Sequence, residues 1–143
     1  TYALMDLCNA VLLYGTKTGV ELAATGIPVI VAGEAWIRNK GLTRDARSRE
    51  DYFRLLGTLP LSGRMPPEEV ARARRYAFHF FFRRMIPVGM CHRSSWSSLV
   101  SSAFVVRVKD LRALESGGDP GLDVICRGIL GGDPFVFPAE EEG

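Results

Sequence analysis

The sequence predicts an α/β fold, with a small parallel sheet in the first half of the chain and a helical extension in the second. Three observations carry this. Ala10–Tyr14 and Pro28–Ala32 are short runs apolar on both faces, as expected of strands covered on both sides in a parallel sheet. The thirteen residues between them, Gly15–Ile27, hold a helical pattern over Thr18–Ala24 and meet the roughly 10–12 residues a βαβ crossover needs. The Gly/Thr turn ahead of that helix is where an α/β fold holds an anion, because small residues let the backbone approach and the first helical amides point outward.

The other elements follow in order. Thr1 is placed to cap a first helix through Leu7, and Gly26-Ile27-Pro28 ends the crossover helix. Gly33–Arg47, rich in Gly, Arg, Lys and Asn, reads as loop. Ser48 caps a helix through Leu56, with Tyr52, Phe53, Leu55 and Leu56 apolar and Arg49, Glu50, Asp51 and Arg54 toward water. After a connector, Leu59–Met65, the run Pro66-Pro67-Glu68-Glu69 opens a long helix with Pro at its start and carboxylates at the positive end of its dipole. It is expected to reach about Met85, before Pro87. Cys91–Ser102, with six serines, reads as loop. Phe104–Val108 fits a strand or the start of a helix continuing to Leu114. Asp119-Pro120 opens a last helix striped by Leu122, Ile125, Cys126, Ile129 and Leu130, ending at Gly131-Gly132. The expected division is a sheet-bearing segment, residues 1–65, and a helical extension of the same domain, residues 66–143.

The 143 residues suffice for one domain with a real core. No run reaches the roughly 18 apolar residues of a membrane span, and the first residues lack the basic start and apolar block of a signal peptide. With no initiator Met and a polar end, the chain reads as a piece of a longer or processed protein. Cys8, Cys91 and Cys126 are odd in number and far apart, which argues against a disulfide framework and fits a reducing cytoplasm. With His79 and His92 the only histidines, no metal site is expected. Residues 34–93 carry thirteen Lys/Arg against six Asp/Glu, and residues 94–143 four against eight. A basic middle suits an anionic partner. For the long helix, with Arg72, Arg75, Arg83 and Arg84 off its apolar side, three readings stand: tertiary packing, a basic amphipathic face on anionic lipid, or RNA binding.

The chemistry concentrates in Gly15-Thr16-Lys17-Thr18-Gly19-Val20-Glu21. Gly15 permits a sharp turn after the strand. Thr16 and Thr18 offer hydroxyls near a helix start, and the amides of Lys17, Thr18 and Gly19 are placed to hold a diphosphate. Glu21, one turn in, reaches sugar hydroxyls in one reading. In the other, Thr18-x-x-Glu21 is a capping box and Glu21 serves only the backbone. Arg38 and Lys40 follow the second strand at the carboxyl end of the sheet, placed to neutralise a phosphate or else solvated. In the same loop Trp36 is available to stack on a ring or to anchor the loop in the core.

Gly15-x-x-Thr18-x-x-Glu21-Leu-Ala-Ala-x-Gly26-Ile-Pro28-Val-Ile resembles the donor-binding segment in the C-terminal Rossmann-like half of GT-B glycosyltransferases. The wider run through Val31-Ala-Gly-Glu-Ala-Trp36-Ile-Arg38-Asn-Lys40-Gly41-Leu-Thr43 to Tyr52 is similar to bacterial capsule polysaccharide biosynthesis proteins, as are residues 74–85 and Leu122-Asp123-x-Ile125-x-x-Gly128-Ile129-Leu130. The resemblance implies a partial Rossmann-like parallel sheet, a Gly/Thr turn facing the donor diphosphate and Glu21 on ribose. Lys17 departs from the pattern, since small residues are usual at its position; it is either a further phosphate contact or solvated.

The expectation is therefore a glycosyltransferase fragment, inactive in isolation, that binds a nucleotide-sugar donor for transfer to a polysaccharide or lipid-linked acceptor. Its donor-binding residues are Gly15, Thr16, Lys17, Thr18, Gly19, Glu21, Arg38 and Lys40. No metal, further cofactor or nucleic acid is called for, and the catalytic base belongs to an N-terminal domain outside this chain. Expected placement is cytoplasmic, including peripheral contact with the inner face of the cell membrane. The alternatives are a non-catalytic interaction module using its basic helix, and a sugar-nucleotide epimerase.

Overall fold

A computed structural model describes residues 2–93 and 104–138. The chain forms two compact units, Thr1–His79 and Phe80–Gly143. The division falls after His79 rather than after Met65, because the long helix belongs with the sheet. Thr1, the serine tract 94–102 and the last five residues lie outside the described residues.

The first unit runs α1 (Tyr2–Asp6), β1 (Val11–Leu13), α2 (Thr18–Ala24), β2 (Val29–Val31), β3 (Arg44–Asp45), α3 (Arg49–Leu56) and α4 (Pro67–Phe78). The strands form one parallel sheet in the order β1-β2-β3, with Val11 paired to Val29, Leu13 to Val31, and Val31 to Asp45. The expected βαβ crossover is present, and α2 has the expected bounds. Its end is a Schellman turn: Gly26 takes the left-handed conformation (φ 84°), its N–H reaches Ala23 O at 3.0 Å, and Ile27 N–H reaches Leu22 O at 2.9 Å.

Two expectations are corrected. Gly33–Arg47 is not all loop, since it contains β3, two charged residues too short to show a period of two. β1, an outer strand of the sheet, is not fully covered on both faces, and Leu12 is 44% exposed. β2 lies between its neighbours and is buried throughout.

The core follows from strand alternation. A side chain on Gly19 would meet Leu13 Cδ2 at 3.0 Å and Ile37 Cγ2 at 3.2 Å, so α2 covers the face carrying Leu13 and its register partner Val31. Ile30 points the other way, into a cluster with Ala46, Leu55 and Tyr52 that seats α3. Helices thus cover both faces of a three-stranded parallel sheet, an α/β arrangement. α4 packs along α2 as a further layer. Arg74 Nε donates to Ala24 O at the carboxyl end of α2 (3.1 Å).

The helix expected to reach Met85 ends at Phe78 and is followed by a π-helical turn, His79–Arg83. In the second unit, the Arg83 carbonyl would serve residue 87 in a continuing helix. Residue 87 is Pro and has no N–H, and Arg83 O accepts from Phe137 N instead (2.7 Å). β4 (Cys91–Arg93) and β5 (Phe104–Val106) pair antiparallel, so residues 91–93 are strand rather than loop and Phe104 begins a strand rather than a helix. A 3₁₀ turn, Leu111–Leu114, precedes α5 (Pro120–Gly131). Asp119 caps α5 by accepting from Gly121 N (2.9 Å) and Leu122 N (3.1 Å) through Oδ1. Its Oδ2 accepts from Gly89 N (2.7 Å). Among the described residues, no helix is long and apolar enough to cross a membrane.

Two outcomes follow. Ile30 is fully buried, and Ile30→Ala should destabilise the protein by about 2–5 kcal/mol, read as a lowered urea midpoint. Asp119 is held below its ordinary pKa chiefly by the Leu122 N–H, with Gly89, Gly121 and Met90 adding and burial opposing. Its contribution is complete above the unfolded carboxyl pKa of about 3.9 and lost as pH falls through the lower folded value. Asp119→Ala should therefore cost stability at neutral pH, and the gap from wild type should close on acidification in a pH series of urea melts.

Candidate functional site

In a parallel sheet all strands present their carboxyl ends at one edge, where chain reversals leave backbone groups open to a ligand. Here Tyr14 follows β1, Ala32 follows β2, and Ala46, Arg47 and Ser48 follow β3. They line one cleft of about 480 Å³ together with Glu34, Arg38, Arg49 and Tyr52. Its volume is in the range of small-molecule sites. Another cavity, of about 280 Å³, lies at the amino ends of β2 and β3 between residues such as Pro28, Leu42, Arg44 and Arg64. The carboxyl-end cleft is the candidate site, because the sheet directs ligands there and because it gathers three arginines.

Arg38 holds the cleft together. Its Nη1 donates to Gly33 O (2.8 Å), just past β2, and its Nη2 to Ala46 O (2.5 Å), just past β3. Its Nε lies 3.7 Å from Glu34 Oε1, whose side chain is almost fully exposed. Asp45 organises the loop behind it, accepting from Asn39 N (2.7 Å) and from the Thr43 hydroxyl (2.5 Å). Asn39 sits in the left-handed region (φ 59°), which asparagine tolerates better than most residues.

The β3–α3 turn supplies the rest. Ser48 Oγ accepts from Asp51 N (3.1 Å) and Asp51 Oδ2 accepts from Arg47 N (2.9 Å), a reciprocal cap. The Arg47 N–H, then Arg54, hold the Asp51 carboxyl below its ordinary range, and its own backbone N–H, then Ser48, do so for Glu50. The α3 dipole is thus already met by its own carboxylates, and the cation supply of the cleft is side-chain charge. Arg47 and Arg49 are exposed at its mouth, Arg49 lying 5.9 Å from the Phe53 ring centroid.

Of the eight residues expected to bind the donor, Arg38 lines this cleft. Gly15 lines an adjoining open recess of about 270 Å³ with Glu34, Ala35 and Trp36. A side chain at Gly15 would come within 2.4 Å of Glu34 O, so the β1–α2 turn rests on the loop after β2 and requires glycine for that approach. Thr16 Oγ1 accepts from Thr18 N (3.3 Å) and contacts Thr18 Oγ1 (3.1 Å). The Thr18 amide is therefore met by the protein's own hydroxyl. Lys17, with helical dihedrals and no side-chain cap, is the N-cap, and its carbonyl accepts from Val20 N (2.9 Å). Thr18 is the first residue inside the helix rather than its N-cap, the position that the capping-box reading gives it. Gly19 is buried against Leu13 and Ile37, Glu21 is half-buried on α2, and Lys40 is exposed and outside the cleft lining.

Trp36 is 67% exposed, which removes the reading of a core anchor, and its carbonyl accepts from Tyr76 Oη (2.7 Å). Part of the basic middle is also engaged internally. Arg72 donates to Gly41 O (3.1 Å), Arg74 to Ala24 O, and Arg64 to Asp6 O. Among the described residues, no group of three or more His, Cys, Asp or Glu comes together, and the three cysteines are unpaired. Sequence reasoning missed Tyr14, Arg47, Arg49 and Tyr52 as lining residues. The alternation of Thr43–Ala46 was too short to reveal β3, whose end brings three of them to the edge. The chain matches no known protein family, no curated protein and no solved structure.

Arg38→Ala removes charged hydrogen bonds to two carbonyls and should cost about 1.5–3 kcal/mol. Arg38→Lys should recover only part of this, since one ammonium lacks the planar fork that spans both acceptors. Urea denaturation of the two variants measures both values.

Proposed function

We propose that the chain is a nucleotide-sugar-binding part of a glycosyltransferase, and that the donor diphosphate occupies the cleft at the carboxyl ends of β1, β2 and β3. The observation that supports this is the convergence of Arg38, Arg47 and Arg49 on one cleft at the ligand-binding edge of a parallel sheet. The resemblance of residues 15–30 to GT-B donor segments supports the sugar-nucleotide class, and with it a Rossmann-like reading of the sheet and the role of bacterial surface polysaccharide synthesis.

The division of labour is specific. Arg38 is tied to Gly33 O and Ala46 O and keeps the floor rigid. Arg47 and Arg49, exposed at the mouth, neutralise the diphosphate and stabilise the charge that develops on the leaving nucleotide. The donor extends toward the β1–α2 turn and Glu21, which belong to the same sheet edge. Nothing in this reading assigns a base here; the acceptor and the proton acceptor belong to another domain.

Thermal and chemical melts with a panel of UDP-, GDP- and CMP-sugars test it. One donor class at 100 times its dissociation constant should add about 2.7 kcal/mol of stability. The Arg47→Ala/Arg49→Ala double variant should lose most of that gain while keeping the ligand-free melt. Absence of any gain across the panel, or a gain untouched in the double variant, would overturn the reading.

A further inference from the structure

Tyr14 combines exposure with restraint. The residue is 78% exposed at the end of the edge strand, on the wall of the cleft that holds Arg47 and Arg49. A side chain on Gly33 would lie 2.6–2.8 Å from its Cε2, Cδ2 and Cζ, so the ring occupies the space above the Gly33 backbone that any other residue would fill. The main chain is fixed there as well, since Gly33 N donates to Tyr14 O (3.1 Å) just beyond the β1–β2 ladder. Tyr52, the cleft's other aromatic lining residue, packs against the Ile30, Ala46 and Leu55 cluster. Tyr14 is the aromatic that the fold leaves open while holding it in place.

An exposed ring seated on a glycine loses little freedom when a planar partner stacks on it, so most of the stacking energy appears as affinity. The charges in the same cleft suit a diphosphate, and a nucleoside diphosphate carries a planar base on the same molecule, joined through the ribose. We propose that Tyr14 is the stacking platform for the base of a nucleoside diphosphate whose phosphates meet Arg47 and Arg49. This rests on the donor-site reading above and adds to it the residue that recognises the base.

Calorimetric titration of the full chain with inorganic pyrophosphate, with ADP, CDP, GDP and UDP, and with UDP-N-acetylglucosamine tests it. The best nucleoside diphosphate should bind about 5- to 150-fold more tightly than pyrophosphate. Tyr14→Ala should erase that advantage without changing pyrophosphate affinity, Tyr14→Phe should keep it, and Gly33→Ala, which displaces the ring, should reduce it. Pyrophosphate binding as tightly as all four nucleotides would overturn the platform and leave the anion site standing. So would an advantage that survives Tyr14→Ala, or one that appears only with the sugar attached. Failure of every probe, pyrophosphate included, would overturn the donor-site reading itself.

Discussion

The guanidinium of Arg38 is the constraint on which the candidate site depends. In most parallel sheets a helix crosses between neighbouring strands and its packing holds them side by side. Between β2 and β3 there is only a twelve-residue connection, 32–43, and β3 has just two residues. Beyond their short backbone ladder, one planar group reaches the carbonyls that follow both strands and ties them together. A guanidinium suits this task, as it presents several donors in a fixed fork. Asp45 completes the arrangement from β3 by fixing the turn at Asn39. The cleft is thus the space left above a strapped pair of strands.

Arginine serves the backbone elsewhere too. Arg74 meets the open carboxyl end of α2, Arg72 the loop at Gly41, Arg64 the end of α1, and Arg83 the carbonyl of Phe137. Ala24 and Asp6 are helix ends, whose carbonyls lack a helical partner, and Gly41 and Phe137 lie in irregular segments. A chain built from strands of two or three residues and helices of five to twelve has many such ends. Part of the positive charge in residues 34–93 is therefore structural, while Arg47 and Arg49 stand exposed at the cleft. In the second unit a carboxylate plays the complementary part, with Asp119 gathering amides from both the start of α5 and the segment at Gly89.

The β1–α2 turn is tied down in part by its own side chains. Thr16 turns its hydroxyl to the Thr18 amide, and the two glycines of the turn are close-packing residues, Gly15 against Glu34 O and Gly19 against Leu13 and Ile37. The same glycines that suggest a phosphate loop are what a helix needs to lie close to a strand. What the edge offers a ligand is side-chain charge from the β3–α3 turn and an aromatic ring from β1.

What was legible in the sequence was local. The bounds of α2, its glycine stop, the Ser48 cap of α3, the Pro start of α4 and the Asp119 cap of α5 each depend on contacts within a few residues, so residue type and spacing suffice to place them. The parallel pairing of β1 with β2 was also legible, because a helix-length connection between two buried runs permits little else. What only the tertiary structure decided depends on partners distant in sequence. β3 has no pattern of its own and exists because β2 offers it a ladder. Val11–Leu13 is apolar yet lies at an edge, because strand order, not composition, sets which strand is central. Gly15, Gly19 and Arg38 carry residue types that suit binding and packing equally, and the atom each one meets, Glu34 O, Ile37 or Ala46 O, is chosen by the fold.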